Sequence, residues 1–122
     1  MAHPILIVDD SSAIRQMLSL TLICAGYEVQ TAVDGRDALA TLDARRFDLV
    51  ISDVTMPRLD GIGLVREMKS HPAHQGIPVL MLTKEFDDDL RQAVRDAGAA
   101  AWLNKPFSVM RVLDVVARLL RH

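Results

Sequence analysis

The sequence predicts a doubly wound α/β fold: a five-stranded parallel sheet, order 2-1-3-4-5, with helices on both faces. Three observations carry this. Short runs of Val, Ile and Leu recur at residues 5–8, 49–51 and 79–82, and continuous runs of that length mark strands buried on both faces. The segments between them repeat their apolar residues at helical spacing. Two of the runs end on carboxylates, Asp9-Asp10 and Asp53, and open α/β sheets keep their sites at the carboxyl ends of strands.

The elements follow in order. Ile5-Leu6-Ile7-Val8 is the first strand. Ser11 or Ser12 caps the next helix, whose core face is Ile14, Met17, Leu18, Thr21, Leu22 and Ala25, and Gly26 ends it. Residues 27–33 alternate apolar and polar side chains, the pattern of a half-buried edge strand. Asp34-Gly35 turns the chain, and Ala38, Leu39 and Leu42 line a short second helix. The Asp53 strand follows, and Met56-Pro57 and Asp60-Gly61 turn the chain after it. The third helix carries Leu64, Val65 and Met68 and stops before Pro72. Val79-Leu80-Met81-Leu82 is the fourth strand, ending at Thr83. Asp87, Asp88 and Asp89 suit the positive end of a fourth helix, with Leu90, Ala93, Val94 and Ala97 inward and Gly98 at its end. Residues 100–103 are the fifth strand. Ser108 caps a last helix with Val109, Val112, Leu113, Val116 and Leu120 inward. Val115 and Leu119 widen that face, as core or as part of a partner-binding surface. Right-handed crossovers and short loops leave few topologies. The order 2-1-3-4-5 puts the alternating strand at an edge and sets the ends of strands 1 and 3 side by side.

The 122 residues make one domain. Half are apolar and a quarter charged, enough for a packed core. A net charge of −2, a pI near 6.0 and no basic run argue against direct nucleic-acid binding. The single cysteine, Cys24, forms no internal disulfide and reads as a small core residue. The apolar run at the amino terminus is too short for a signal peptide, and no stretch approaches the ~20 apolar residues of a membrane span. The expectation is a soluble cytoplasmic domain without membrane insertion.

Asp9, Asp10 and Asp53 would crowd one crevice. Two carboxylates ~4 Å apart repel by roughly 4 kcal/mol at an effective dielectric near 20, so a cation or a raised pKa must sustain them. Oxygen ligands suit Mg²⁺, and a carboxylate beside it is a nucleophile for phosphoryl groups. Thr83 ends strand 4 and offers a hydroxyl to a phosphoryl oxygen; Lys105 follows strand 5 and offers a point charge. Singly, each residue has an ordinary reading: helix caps for the Asp-Asp pair and Thr83, a turn for Asp53, a surface charge for Lys105. Together, at the ends of the right strands, they point to phosphoryl chemistry.

With these residues in view the chain resembles the receiver domains of two-component response regulators, over essentially all of residues 1–122. The resemblance rests on Val8-Asp9-Asp10-Ser11, Asp53-Val54-Thr55-Met56-Pro57 with Asp60-Gly61, Leu82-Thr83 and Lys105-Pro106-Phe107. It implies the flavodoxin-like fold with the same strand order, and Asp53 as phosphoacceptor. It implies Mg²⁺, or Mn²⁺ in its place, on Asp9, Asp10 and Asp53 with the backbone carbonyl of Thr55. It also implies a cis bond before Pro106, Thr83 and an aromatic residue at Trp102 as the switch, and output through the surface of the fourth helix, fifth strand and fifth helix. The implied donor is a sensor histidine kinase or histidine phosphotransfer protein, and the domain would be a monomer or weak dimer. The chain ends with its fifth helix, as in the stand-alone members, of which the chemotaxis regulators are best known.

Two positions depart from the family pattern. Trp102 stands where Tyr or Phe is usual, and its indole needs a partner for the N–H. Lys84 stands where a small residue is usual, either adding charge to the phosphoryl pocket or remaining a solvated loop lysine. The expected function is a phosphorylation-controlled switch that phosphorylates and dephosphorylates itself but turns over no metabolite. The alternatives are a receiver separated from a larger DNA-binding regulator, and an aspartate-nucleophile phosphohydrolase. The phosphohydrolase would carry a second Asp where this chain has Thr55, together with a cap domain. His71 and His74 flank Pro72 and read as a surface turn; His3 and His122 are terminal.

Overall fold

The computed structural model describes residues 2–56, 58–84 and 88–121. Pro57 in the loop after the third strand, Asp87 before the fourth helix and His122 lie outside them. The elements run β1 (Pro4–Val8), α1 (Ser12–Cys24), β2 (Glu28–Ala32), α2 (Gly35–Ala44), β3 (Leu49–Asp53), α3 (Gly61–Ser70), β4 (Val79–Thr83), α4 (Asp88–Ala97), β5 (Ala101–Asn104) and α5 (Val109–Leu119). All strand pairings are parallel, in the order β2-β1-β3-β4-β5. Among the described residues, no helix is long and apolar enough to cross a membrane.

Each apolar run feeds two cores, because successive strand residues point to opposite faces. Leu6, Val8, Val50 and Met81 pack with Ala38, Leu42, Leu64, Val65, Met68 and Val94, from α2, α3 and α4. Ile5, Ile7, Leu49, Ile51, Leu80 and Leu82 pack with Leu18, Leu22, Val112 and Val116, from α1 and α5. Fully burying each Leu or Ile contributes about 1.5–3 kcal/mol, and Ser52, polar and fully buried within β3, satisfies its hydroxyl by donating to the Asp53 carbonyl at 2.9 Å. β2 lies at the edge, with Gln30 and Thr31 exposed.

Side chains close the helix starts as their sequence promises. Ser11, not Ser12, caps α1, its Oγ accepting from the Ile14 amide at 3.3 Å; Asp60 caps α3 and Ser108 caps α5. Gly26 and Gly98, just past α1 and α4, have φ of 98° and 101°, a region costly for other residues.

Several expectations shift. β2 is shorter than residues 27–33, and β5 begins at Ala101 and ends at Asn104. Met17 and Ala25 are exposed, so the buried stripe of α1 is narrower than its apolar content. Cys24 is exposed rather than core: it stands two positions past buried Leu22, roughly 200° around the helix. Val109 is exposed at the start of α5, before the helix has turned its apolar face onto the sheet.

Candidate functional site: a carboxylate crevice at the carboxyl ends of the strands

The register of β1 and β3 builds the crevice. Ile7 pairs with Ile51 and Val8 with Ser52, and Asp9 and Asp53 stand one residue further along the same register. Adjacent strands lie ~4.8 Å apart, so the two carboxylates meet on the side shared with Ile7 and Ile51. Asp10 joins them; ligand atoms of Asp9, Asp10 and Asp53 lie within 4.8 Å of one another. Asp9 is fully buried at the floor, Asp53 half-buried and Asp10 exposed.

Lys105, just beyond β5, spans the pair. Its Nζ lies 3.3 Å from Asp9 Oδ2 and 3.4 Å from Asp53 Oδ2, and its side chain is 11% exposed. Its backbone N–H donates to the Thr83 carbonyl at 2.7 Å, and the Lys105–Pro106 bond is cis. Thr83 ends β4 and is buried. Asp9 is held from two sides: its Oδ1 accepts from the Ser11 amide at 2.9 Å, and Arg15 donates to its carbonyl at 2.6 Å. Arg15 had no signal in the sequence, where it reads as a polar position of α1.

Burial pushes the Asp53 carboxyl above its ordinary range, and the nearby Asp9 adds to this while Lys105 works against it. Among the described residues, three carboxylates face one ammonium, a surplus of negative charge in the crevice. An all-oxygen, net negative donor set fits a hard divalent cation such as Mg²⁺. Thr55 stands exposed two residues past Asp53.

The outer positions fall on both sides of the crevice. Lys84 is exposed and, with Lys105, Ile14, Met17, Pro106 and Phe107, lines a mostly apolar cleft of about 570 Å³. Trp102 is half-buried on β5, against the α2–α4 core, and the Arg95 guanidinium sits over its ring, 5.3 Å from the centroid. The sequence departure at Trp102 therefore has a partner on α4 for its π face.

The loop after Asp53 is strapped by a pair that sequence reasoning missed. Asp34, expected only to turn the chain, is buried, caps α2 through the Asp37 amide at 2.9 Å, and accepts two bonds from Arg58 at 2.6 and 3.0 Å. The partners are 24 residues apart in sequence, so no local pattern announces them. The Arg58 guanidinium first, then the Asp37 amide, holds the Asp34 carboxyl below its ordinary 3.8. A lowered folded value means the stability from this group is present above 3.8 and is lost as pH falls through the folded value. Arg58→Ala should therefore be less stable near neutrality and lose less on acidification. Urea unfolding across the acid range checks this; parallel curves for the two proteins would rule it out.

Comparison with known proteins gives a consistent result. The family model described as "Response regulator receiver domain" matches residues 5–117. The response regulator MprA of Mycolicibacterium vanbaalenii is 42% identical over 118 residues, covering 97% of this chain and 50% of that protein. The chain spans about half the length of the curated relatives it matches. The solved structure of the Vibrio cholerae chemotaxis protein CheY4 superposes with a TM-score of 0.94 at 44% identity, covering 98% of this chain and 100% of that one. The receiver domain of the sensor histidine kinase PA1611 from Pseudomonas aeruginosa, with magnesium coordinated in its active-site cleft, gives a TM-score of 0.92 at 25% identity over the whole of both chains.

Proposed function

We propose that this chain, which belongs to the response regulator receiver domain family, is a phosphorylation-dependent switch with Asp53 as its phosphoacceptor. The observation that carries the proposal is Lys105 within 3.4 Å of both Asp9 and Asp53. A lysine there neutralises the nucleophile's surroundings through Asp53 Oδ2. A carboxylate oxygen of Asp53 forms the new bond to phosphorus. The bond from phosphorus to the donor's imidazole nitrogen breaks, and the electron pair leaves with the imidazole, giving an acyl phosphate. The donor class is a sensor histidine kinase or a histidine phosphotransfer protein.

Asp9, Asp10 and Asp53, with the Thr55 carbonyl, would hold Mg²⁺, or Mn²⁺ in its place; when bound it offsets the charge brought in by the phosphoryl group. Lys105 pairs with one phosphoryl oxygen. The Thr83 hydroxyl donates to another, drawing the end of β4 toward the phosphoryl group. Thr83 and Lys105 lead into α4, β5 and α5, so that surface is the output face, with Trp102 on it. Coupling of this kind is typically ~1–3 kcal/mol, or roughly 5- to 150-fold in partner affinity. The domain turns over no metabolite, and its place is the cytoplasm, where kinase and target meet it. A second reading has a specific observation behind it. Because the chain spans half of its curated relatives, the same switch would serve as the receiver half of a larger regulator.

Incubation with acetyl phosphate and Mg²⁺ should add one phosphoryl group by intact mass, and Asp53→Asn should abolish it. Trp102, the single tryptophan, should change fluorescence when wild-type protein is phosphorylated. Label persisting at wild-type stoichiometry in Asp53→Asn would sink the assignment.

A further inference from the structure

At the opposite end of the strands, where α2 and α3 lead into β3 and β4, stands a second cluster of metal-ligating side chains, made of Asp43, His71 and His74. Asp43 lies in the last turn of α2, His71 is the C-cap of α3, and His74 follows in the turn toward β4. The length of a five-residue strand, roughly 15 Å, separates this end from the carboxylate crevice. His74, expected on the surface, is instead buried at 6% exposure. Its Nε2 lies 3.1 Å from Asp43 Oδ1, and its ring stacks on His71 with centroids 4.3 Å apart and planes 20° from parallel.

We propose that Asp43, His71 and His74 form a binding site for a borderline divalent cation of the Zn²⁺ class, distinct from the Mg²⁺ crevice. Two imidazoles and a carboxylate suit Zn²⁺ and disfavour Mg²⁺. Ligands ~2.0–2.1 Å from a tetrahedral Zn²⁺ sit roughly 3.3 Å from one another. The Asp43–His74 separation already matches that spacing, so a cation replaces the shared proton between the same two atoms. All three ligand atoms lie within 4.8 Å of one another, and exposed His71 closes the remainder by rotating about its side-chain bonds. In the stack the two rings lie nearly parallel, so their in-plane lone pairs do not yet converge, and that rotation must carry the His71 ring out of the stack to bring its nitrogen to the Asp43–His74 pair.

The surroundings hold these ligands in place. The His74 and Gln75 amides both donate to the His71 carbonyl, at 2.9 and 3.0 Å, the Ile77 amide donates to the His74 carbonyl at 3.1 Å, and Lys69 Nζ donates to the Gln75 carbonyl at 3.1 Å. The carboxyl ends of α2 and α3 meet here, and their partial negative charges favour a cation. The cluster opens on a cleft of about 880 Å³, which leaves the fourth coordination position to water. One contact works against binding: the Ala73 amide donates to His71 Nδ1 at 3.2 Å, so ligation at that ring displaces a long, exposed bond. Losing that bond weakens binding by roughly fivefold.

The test is calorimetric titration of the full chain with Zn²⁺ in millimolar Mg²⁺, which keeps the oxygen-ligand crevice loaded with the harder ion. One equivalent should bind with micromolar affinity. His74 is buried and its variants risk misfolding, so the exposed ligands carry the test: His71→Gln and Asp43→Asn should each weaken binding at least roughly tenfold. Co²⁺ in place of Zn²⁺ should show the visible bands of four-coordinate cobalt, and both variants should lose them. Asp53→Asn should leave the Zn²⁺ affinity unchanged. No binding, unchanged affinity in both His71→Gln and Asp43→Asn, or loss in Asp53→Asn alone would each overturn the proposal.

Discussion

Lys105→Met should destabilise the chelator-treated protein by about 3 kcal/mol at neutral pH, because removing one partner of a buried pair leaves an uncompensated charge. Asp9 and Lys105 have side chains only 1% and 11% exposed, so solvent cannot supply the lost partner. Methionine keeps most of the stem's packing, and the loss then reports the ammonium itself. The effect carries a pH signature. Asp53 has a raised carboxyl, with burial as the first cause and Lys105 opposing it. A raised folded value means that the stability contribution is fully present below the unfolded value of 3.8 and is lost as pH rises through the folded value. Without Lys105 that folded value rises further, so the variant should lose more stability than wild type between acid and neutral pH. Millimolar Mg²⁺ should stabilise both proteins by the logarithmic law for native-state ligands, and the variant should recover part of its deficit. Urea midpoints with chelator and with Mg²⁺, across pH, measure all of this. A variant as stable as wild type in chelator would mean that Lys105 neutralises neither carboxylate.

Gly61→Ala should cost about 3 kcal/mol, lowering the melting temperature by roughly 10 °C, and slow phosphorylation by acetyl phosphate on the order of a hundredfold. Gly61 opens α3 directly against the end of β3. Its amide donates to the Val54 carbonyl at 2.8 Å. A Cβ at this position would collide with the Asp53 carbonyl oxygen and come within 3.0 Å of Val54 Cα. The Met81 side chain, also in the way, can rotate aside, but these two obstacles are backbone, so the carboxylate-bearing end of β3 must shift. Gly76 supplies the control: a Cβ there meets nothing within 4 Å, and Gly76→Ala should leave both stability and phosphorylation unchanged. Melting curves together with timed intact-mass measurements decide the matter. Equal behaviour of the two variants would show that α3 does not seat Asp53.

The amino-acid sequence by itself determined the layered architecture, because burial is written in period. Short runs such as Leu49-Val50-Ile51 bounded by turn residues have no polar face and read as strands buried on both faces, and right-handed crossovers then leave few topologies. It also placed Asp9, Asp10, Asp53, Thr83 and Lys105 at strand ends, since a polar residue closing an apolar run marks where the sheet meets solvent. Only tertiary structure decided what these groups do to one another. The β1–β3 register brings Asp9 opposite Asp53, and β5 carries Lys105 across to both. The same holds for Asp34 with Arg58, Arg95 over Trp102, and Asp43 with His74, contacts between elements that share no local pattern. His74 and Cys24 show the limit most directly. The polar residue is buried and the apolar one exposed, because burial depends on which neighbour covers a position, and a partner such as Asp43 removes the penalty for covering an imidazole.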